Sequence, residues 1–442
     1  MRCPNWWPGR FHVNSVYCMM NKPLAALSAI VLLATSAQAQ KGNPITVSEV
    51  RRIESVLSAD DLAGRRPGTP GGDKAAAFIA EEFAKAGLKP VGNSFFQEFS
   101  MLRPKMLSVK GEIDGTELDP KNIVVSTTQA DLKVNEKMGY AIQHITTGNF
   151  GNQVQAIRRA NQNTVVFVDT SFARSFQRLA STRPGFPSPT SIIYILGDAN
   201  PKEFKVKSEF SFEEIKYRNV VGILRGTSRV NEQVVFSGHY DHLGIGRPVN
   251  GDSIYNGAND DAAGITAVIM LANYYKKKGH NARTLVFAAF TAEESGGFGS
   301  QYFSRQFAPE KVMAMFNIEM IGTESKWGRN SAYITGYEKS DMGTILQKNL
   351  KGTGFTFYPD PYTDQNLFYR SDNATLARLG VPAHTISTSK MDSEPNYHKV
   401  SDEIGTLDME NMAQIILSIA KSAGTIVSGK DTPSRVKPES LQ

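Results

Sequence analysis

Cysteine is all but missing from this chain: Cys3 and Cys18 are the two in 442 residues. Both precede a small-residue junction at Ala37-Gln38-Ala39, so a chain cut there carries none, which excludes a disulfide framework and thiolate metal ligation. Neither follows the apolar run, which argues against a lipid anchor on a processed cysteine. Long hydrophobic runs are also lacking. Leu24 to Leu33 is too short to cross a bilayer, and behind Met20-Asn21-Lys22 it has the layout of an export signal. The start is expected at Met19 or Met20, cleavage near Ala39, and residence in the periplasm or outside the cell. An excess of one charge is absent too: of the formal net +6, Arg2, Arg10 and Lys22 lie in residues 1–39, which have no acid. No nucleic-acid partner is expected, and no membrane partner once the signal is removed. Composition is otherwise that of an ordinary globular chain, with 40% hydrophobic and 21% charged residues.

Hydrophobic periodicity organises the rest. Residues 46–88 read as two helices, with Ala77, Ile79, Ala80, Phe83 and Ala84 on one face, joined by a turn-rich loop over 60–72. Residues 101–215 change character, with apolar pieces at 164–168 and 192–196 and no catalytic cluster, and read as an inserted β-rich lid or apical domain. From 218 onward strand-like and helix-like segments alternate. The fold class expected is α/β, a mixed, largely parallel sheet flanked by helices. The domain boundaries are 1–39 for upstream residues and signal, 41–100 and 216–428 for the main domain, 101–215 for the insert, and 429–442 for a flexible tail.

Chemistry-bearing residues gather at predicted strand ends. The apolar run 233–238 delivers His239 and Asp241 at its carboxyl end, where open α/β sheets place their sites. Asp260-Asp261 opens a helix between Gly257 and Gly264; N-capping alone would explain carboxylates there, but the flanking glycines suit close backbone approach around a ligand. The strand 284–290 runs into Glu293-Glu294, which are costly to bury unpaired. Glu319 ends the apolar strand 313–318, and His398 lies in a polar loop before the last helix. Each has a structural explanation in isolation. Independent structural roles at every one of these positions are a poor account of their joint occurrence. His144, His242, His280 and His384 are read as structural.

The stretches Asp61-Leu62-Ala63-Gly64-Arg65-Arg66-Pro67-Gly68-Thr69, His239-Tyr240-Asp241, Gly257 to Gly264, Ala292-Glu293-Glu294, Asn317 to Gly322, Ser371-Asp372 and Tyr397-His398 together resemble the exported co-catalytic zinc aminopeptidases, the family that includes bacterial leucyl aminopeptidases and glutamate carboxypeptidase II. The resemblance covers most of the chain beyond the signal, and 101–215 least well. It implies two zinc ions, one on His239 and Glu319, the other on Glu294 and His398, with Asp260 bridging. It makes Glu293 the general base, places Asp241 behind the ligands, and gives Tyr397 to the oxyanion. It also implies a cis peptide between Asp260 and Asp261. Two departures stand out: Glu319 where many relatives have Asp, and Asn373 where they often have His, the latter expected to bear on substrate contacts. Residues 355–369 and the insert are expected to shape the pocket.

The activity implied is removal of N-terminal residues from peptide substrates. A carboxypeptidase or dipeptidase on the same site remains open, as do a single-zinc glutaminyl cyclase and an inactive binding scaffold. Oligomeric state is open as well.

Overall fold

The computed structural model describes residues 42–180, 183–197 and 200–441; the expected signal and its cleavage point lie outside them. The first helix, α1 (Val47–Leu57), starts at Thr46, whose hydroxyl accepts from the Glu49 N–H, a Thr-x-x-Glu start. The second, α2 (Pro70–Lys85), starts at Thr69, with Pro70 at its first position. Thirteen of the seventeen strands among the described residues organise the remainder: β1 (Phe96–Ile113), β2 (Ile123–Ser126), β3 (Asp131–Asn135), β4 (Ala141–Ile145), β5 (Thr164–Val168), β6 (Ile192–Leu196), β7 (Phe204–Leu224), β8 (Arg229–His239), β9 (Arg283–Phe290), β10 (Val312–Ile318), β11 (Ser331–Ile334), β12 (Thr356–Pro359) and β13 (Ala383–Ser387). The main sheet runs in the order β12-β11-β13-β10-β8-β9-β7-β1. Its centre, β13-β10-β8-β9, is parallel, and β7 and β1 continue it antiparallel.

Burial on both faces explains why the central strands read as unbroken apolar runs. Val234 and Phe236 of β8 and Leu285 and Phe287 of β9 face one core with α1, α2, α4 (Ala263–Lys278) and α5 (Met409–Ser422). Their alternate neighbours Val235, Val286 and Ala288 face a second core built with Phe303, Leu376 and Val381. Helix α4 is the crossover from β8 to β9, and the parallel strands therefore end at one edge.

The inserted segment differs from its expected outline. Strands β1 and β7 pair from Phe96↔Val220 to Ile113↔Phe204, with one bulge between Met106 and Ser108, so 101 and 215 fall inside strands that run on from the main sheet. The chain between them builds a second sheet, β2-β6-β5-β4. Helix α3 (Phe150–Arg159) packs Val154 and Ile157 against one face of it. Val109, Phe204 and Val206 of the long ladder cover the other. The tail is packed rather than flexible. Arg283, 0% exposed, donates to the carbonyls of Ile426 and Asp431 at 2.7 and 2.8 Å, Arg435 reaches the Val312 carbonyl at 2.7 Å, and Val436 is buried. A buried guanidinium 150 residues upstream needs those acceptors, and polarity within the tail itself gives no sign of it. Among the described residues no helix is long and apolar enough to cross a membrane.

Candidate metal centre

Three strand ends converge. His239 is the last residue of β8 and pairs with Phe290 at the end of β9. Glu293 and Glu294 follow β9 through Ala292, whose φ of 57° turns the chain in the left-handed region that non-glycine residues seldom adopt. Glu319 follows β10, its N–H donating to the Ile386 carbonyl. The fourth contributor, the loop before α4, carries Asp260 across a cis Asp260–Asp261 peptide.

That loop is pinned from every side by groups other than the Asp260 carboxylate. Arg65, 1% exposed, donates to the carbonyls of Tyr240, Leu57 and Gly257 at 2.7, 2.6 and 2.8 Å and also to that of Asn256. Asp402 accepts from the N–H groups of Asn259 and Asp260 at 2.9 and 3.0 Å. Asp261 accepts from the N–H groups of His239, Gly264 and Met320 at 3.2, 3.0 and 3.1 Å, tying two strand ends to the helix start. A Cβ at Gly257 would overlap the His242 ring, and one at Gly264 the Asp261 carboxylate, which is the close approach the sequence suggested.

The carboxylate left over faces three imidazoles. Oδ1 of Asp260 lies 3.2 Å from His239 Nε2, and Oδ2 lies 3.3 Å from His398 Nε2 and 4.0 Å from His242 Nδ1. Glu294 joins the second group, Oε2 at 3.1 Å from His398 Nε2 and Oε1 at 2.7 Å from His242 Nδ1. Ligand atoms of His239, Asp260 and Glu319 gather within 4.8 Å of one another, and so do those of His242, Asp260 and Glu294. Asp260 is common to both sets. Ser371 donates a short hydrogen bond to Glu319.

Divalent zinc fits these donors. His242 Nε2 is buried without a hydrogen-bond partner, and the buried His239 Nε2, His242 Nδ1 and Glu294 Oε1 meet only imidazole and carboxylate groups of the same cluster, an arrangement that costs free energy unless something binds there, and imidazole nitrogen with carboxylate oxygen is a zinc donor set. The electrostatics agree. Burial works to lower the His239 pKa, yet the Asp260, Asp261 and Glu293 carboxylates hold it well above the ordinary value. Burial opposes the charge on His398 too, but Asp260 and Glu294 carry it up to about 10. Glu319 is pushed up to about 7, by burial first and by Asp260 among its neighbours. A crowd of buried carboxyl groups that cannot all ionise together is one a dication would relieve.

Around the ligands, the Asp241 carboxylate accepts from the Glu293 N–H at 3.0 Å, while His239 Nδ1 lies 3.1 Å from the Asp241 carbonyl oxygen. Burial raises the Glu293 pKa well above normal, with Glu319, Asp372 and Glu294 adding to it and His239 opposing. Tyr397 stacks on His398 with ring centroids 3.9 Å apart. Asn373 is buried; its amide donates to the Phe368 and Ala383 carbonyls and its oxygen accepts from Thr385, so it braces the scaffold. His384, between Ser340 and the Thr335 carbonyl, is structural as read. His242 is the residue that sequence reasoning missed. The signal was its place three residues after His239 at the same strand end, where the chain turns back over the site.

Residues 219–423 match the model of Peptidase family M28, a span that holds every residue of both groups. This segment is a domain of peptidase family M28. A probable zinc metalloprotease of Pyricularia oryzae is 34% identical over 122 residues, 27% of this chain and 24% of that protein. A probable leucine aminopeptidase of Trichophyton verrucosum is 24% identical over 205 residues, 44% of this chain and 54% of that protein. The chain thus spans about a quarter to about half the length of these curated relatives. A zinc aminopeptidase of Bacillus subtilis superposes with a TM-score of 0.53 at 16% identity, covering 89% of this chain and 98% of its own. An aminopeptidase of an Aneurinibacillus species gives 0.52 at 16% identity, covering 90% and 97%. The fold of these two aminopeptidases is therefore shared along most of the chain, beyond the segment the family model matches.

Proposed function

We propose that this M28 chain is an exported zinc exopeptidase that removes N-terminal residues from peptides. The observation that carries the reading is the Asp260 carboxylate, shared between two groups of imidazole and carboxylate ligand atoms, with Glu293 beside them and outside both. His239, Asp260 and Glu319 would hold one zinc and Asp260, Glu294 and His398 the other, with His242 backing Glu294. Bound there, two zinc ions would polarise the scissile carbonyl and make water a better nucleophile near neutral pH.

The chain's own residues supply the remainder. Glu293, its backbone fixed on Asp241, accepts the proton of the attacking water and returns it to the leaving amine. Burial, with Asp260, Glu294 and Glu319, raises the Tyr397 pKa and keeps its hydroxyl protonated, so it can donate to the developing oxyanion. Export is supported by the signal-like run from Met20 to Ala39; an amino terminus sequenced near residue 40 in protein recovered outside the cytoplasm would establish it, and an intact Met20 would refute it.

A panel of free, N-blocked and C-blocked peptides tests the activity. Cleavage of the free and C-blocked sets with rejection of the N-blocked set is expected. Hydrolysis that tolerates a blocked amine but needs a free carboxylate would make the chain a carboxypeptidase.

A further inference from the structure

Next to Glu319 a cavity opens between the strand ends of β11 and β13 and the segment 367–371. Glu319 and Tyr397 lie at its metal-centre side, and Arg370, Thr335, Thr385 and Ser387 contribute polar atoms to its wall. The wall hydroxyls are largely spent: Thr385 donates to Asn373 and Ser387 to the Met320 carbonyl, while Thr335 Oγ1 accepts from the Thr385 N–H. Arg370 differs. It is exposed, and among the described residues its guanidinium makes no hydrogen bond and no ion pair, whereas Arg65, Arg283, Arg329 and Arg435 all spend theirs on protein acceptors. Apart from Glu319, which belongs to the metal centre, Arg370 is the one charged residue of the lining. Its charge reaches the Tyr397 hydroxyl, where it opposes the upward pull on that group.

We propose that Arg370 receives a carboxylate of the substrate in this cavity, so that peptides bearing one near the scissile bond are favoured. The inference rests on the peptidase reading and adds a substrate class to it. A planar guanidinium with free N–H groups matches a carboxylate in two parallel hydrogen bonds. The carboxylate has two possible sources, the side chain of an N-terminal Asp or Glu or the free C-terminus of a short peptide.

The experiment compares kcat/KM of the zinc-loaded wild type, Arg370→Met and Arg370→Lys on two substrate pairs: Asp against Asn as the N-terminal residue of C-blocked peptides, and Leu-Ala as the free acid against its amide. In one pair the wild type is expected to favour the carboxylate member, and the ratio should fall about 10- to 100-fold in Arg370→Met, the worth of a charge-assisted hydrogen bond, with partial recovery in Arg370→Lys. The pair that responds identifies the source. Ratios unmoved by Arg370→Met in both pairs would overturn the proposal. Calorimetry with succinate reads the same contact without turnover: binding by wild type that is lost in Arg370→Met supports it, and equal binding or none refutes it. A chain that cleaves neither pair refutes the peptidase reading, while the succinate arm still judges Arg370.

Discussion

Glu293 and Glu294 are adjacent in sequence and opposite in circumstance. Glu294 is held below the ordinary carboxyl range: burial pushes it up, but hydrogen bonds from His242 and His398 outweigh that. Glu293 meets mostly acids and stays high, a separation in keeping with the proposed roles of Glu294 toward metal and Glu293 toward protons. Glu293→Gln should therefore keep its metal content and melting temperature while kcat falls by about 10²–10⁴-fold or more; near-normal turnover would remove it from the proton path. A second buried acid makes a pH prediction away from the metal centre. Glu54, 0% exposed and accepting from Thr266 at 2.7 Å, is raised by burial from 4.5 to about 8. Between those values the folded chain keeps a proton that the unfolded chain releases, so this group costs nothing below pH 4.5 and destabilises increasingly up to pH 8. Glu54→Gln, which keeps an acceptor for Thr266, should match wild type in unfolding free energy at pH 4.5 and exceed it at pH 8.5, by on the order of a few kcal/mol. A difference independent of pH would show that Glu54 is already ionised. His239, Glu294 and Glu319 were legible because each closely follows an apolar run with a group too polar to bury alone, whereas Asp260 and His398 were legible only through the joint pattern. His242 was not, since no run ends at it and its role depends on a turn that only the fold reveals.

Elements matter here as holders of loops. The segment before α4 has its carbonyls on Arg65 and its N–H groups on Asp402, leaving the Asp260 carboxylate free to face both groups. Arg65→Met would strip the Tyr240, Leu57, Asn256 and Gly257 carbonyls of a buried donor. A loss of about 3–5 kcal/mol in denaturant unfolding, the scale for breaking a buried charged network, should come with weaker zinc binding; unchanged affinity would mean that the loop holds its shape unaided. At the other end of the chain, deleting residues 431–442 removes the Asp431 carbonyl and the Thr432 hydroxyl from Arg283. That should cost about 2–4 kcal/mol, and Arg283→Met should recover part of it in the shortened chain. Strands and helices of the main domain were legible from period and burial, since both cores demand long apolar runs. The path of the tail and the ladder joining the insert were not, because they are set by partners 100 residues or more away.

Across the whole molecule, one sheet edge collects groups from β8, β9, β10, the loop before α4 and the loop before α5. The insert stands on the same sheet through β1 and β7 and meets the turn after Glu293, where Phe186 packs edge-on against Phe298 with centroids 5.7 Å apart. The lining of the cavity beside Glu319 comes from residues 319–397. With candidate ligands on five segments, bound metal would cross-link the fold, so chelation should lower the melting temperature as well as abolish turnover, and zinc should restore both. In the proposed site Asp260 serves two metal ions at once. Metal quantitation on the purified chain measures this directly: close to two zinc per chain are expected, falling to one or fewer in Asp260→Ala, whereas a wild type that holds one zinc or none at saturation would contradict it.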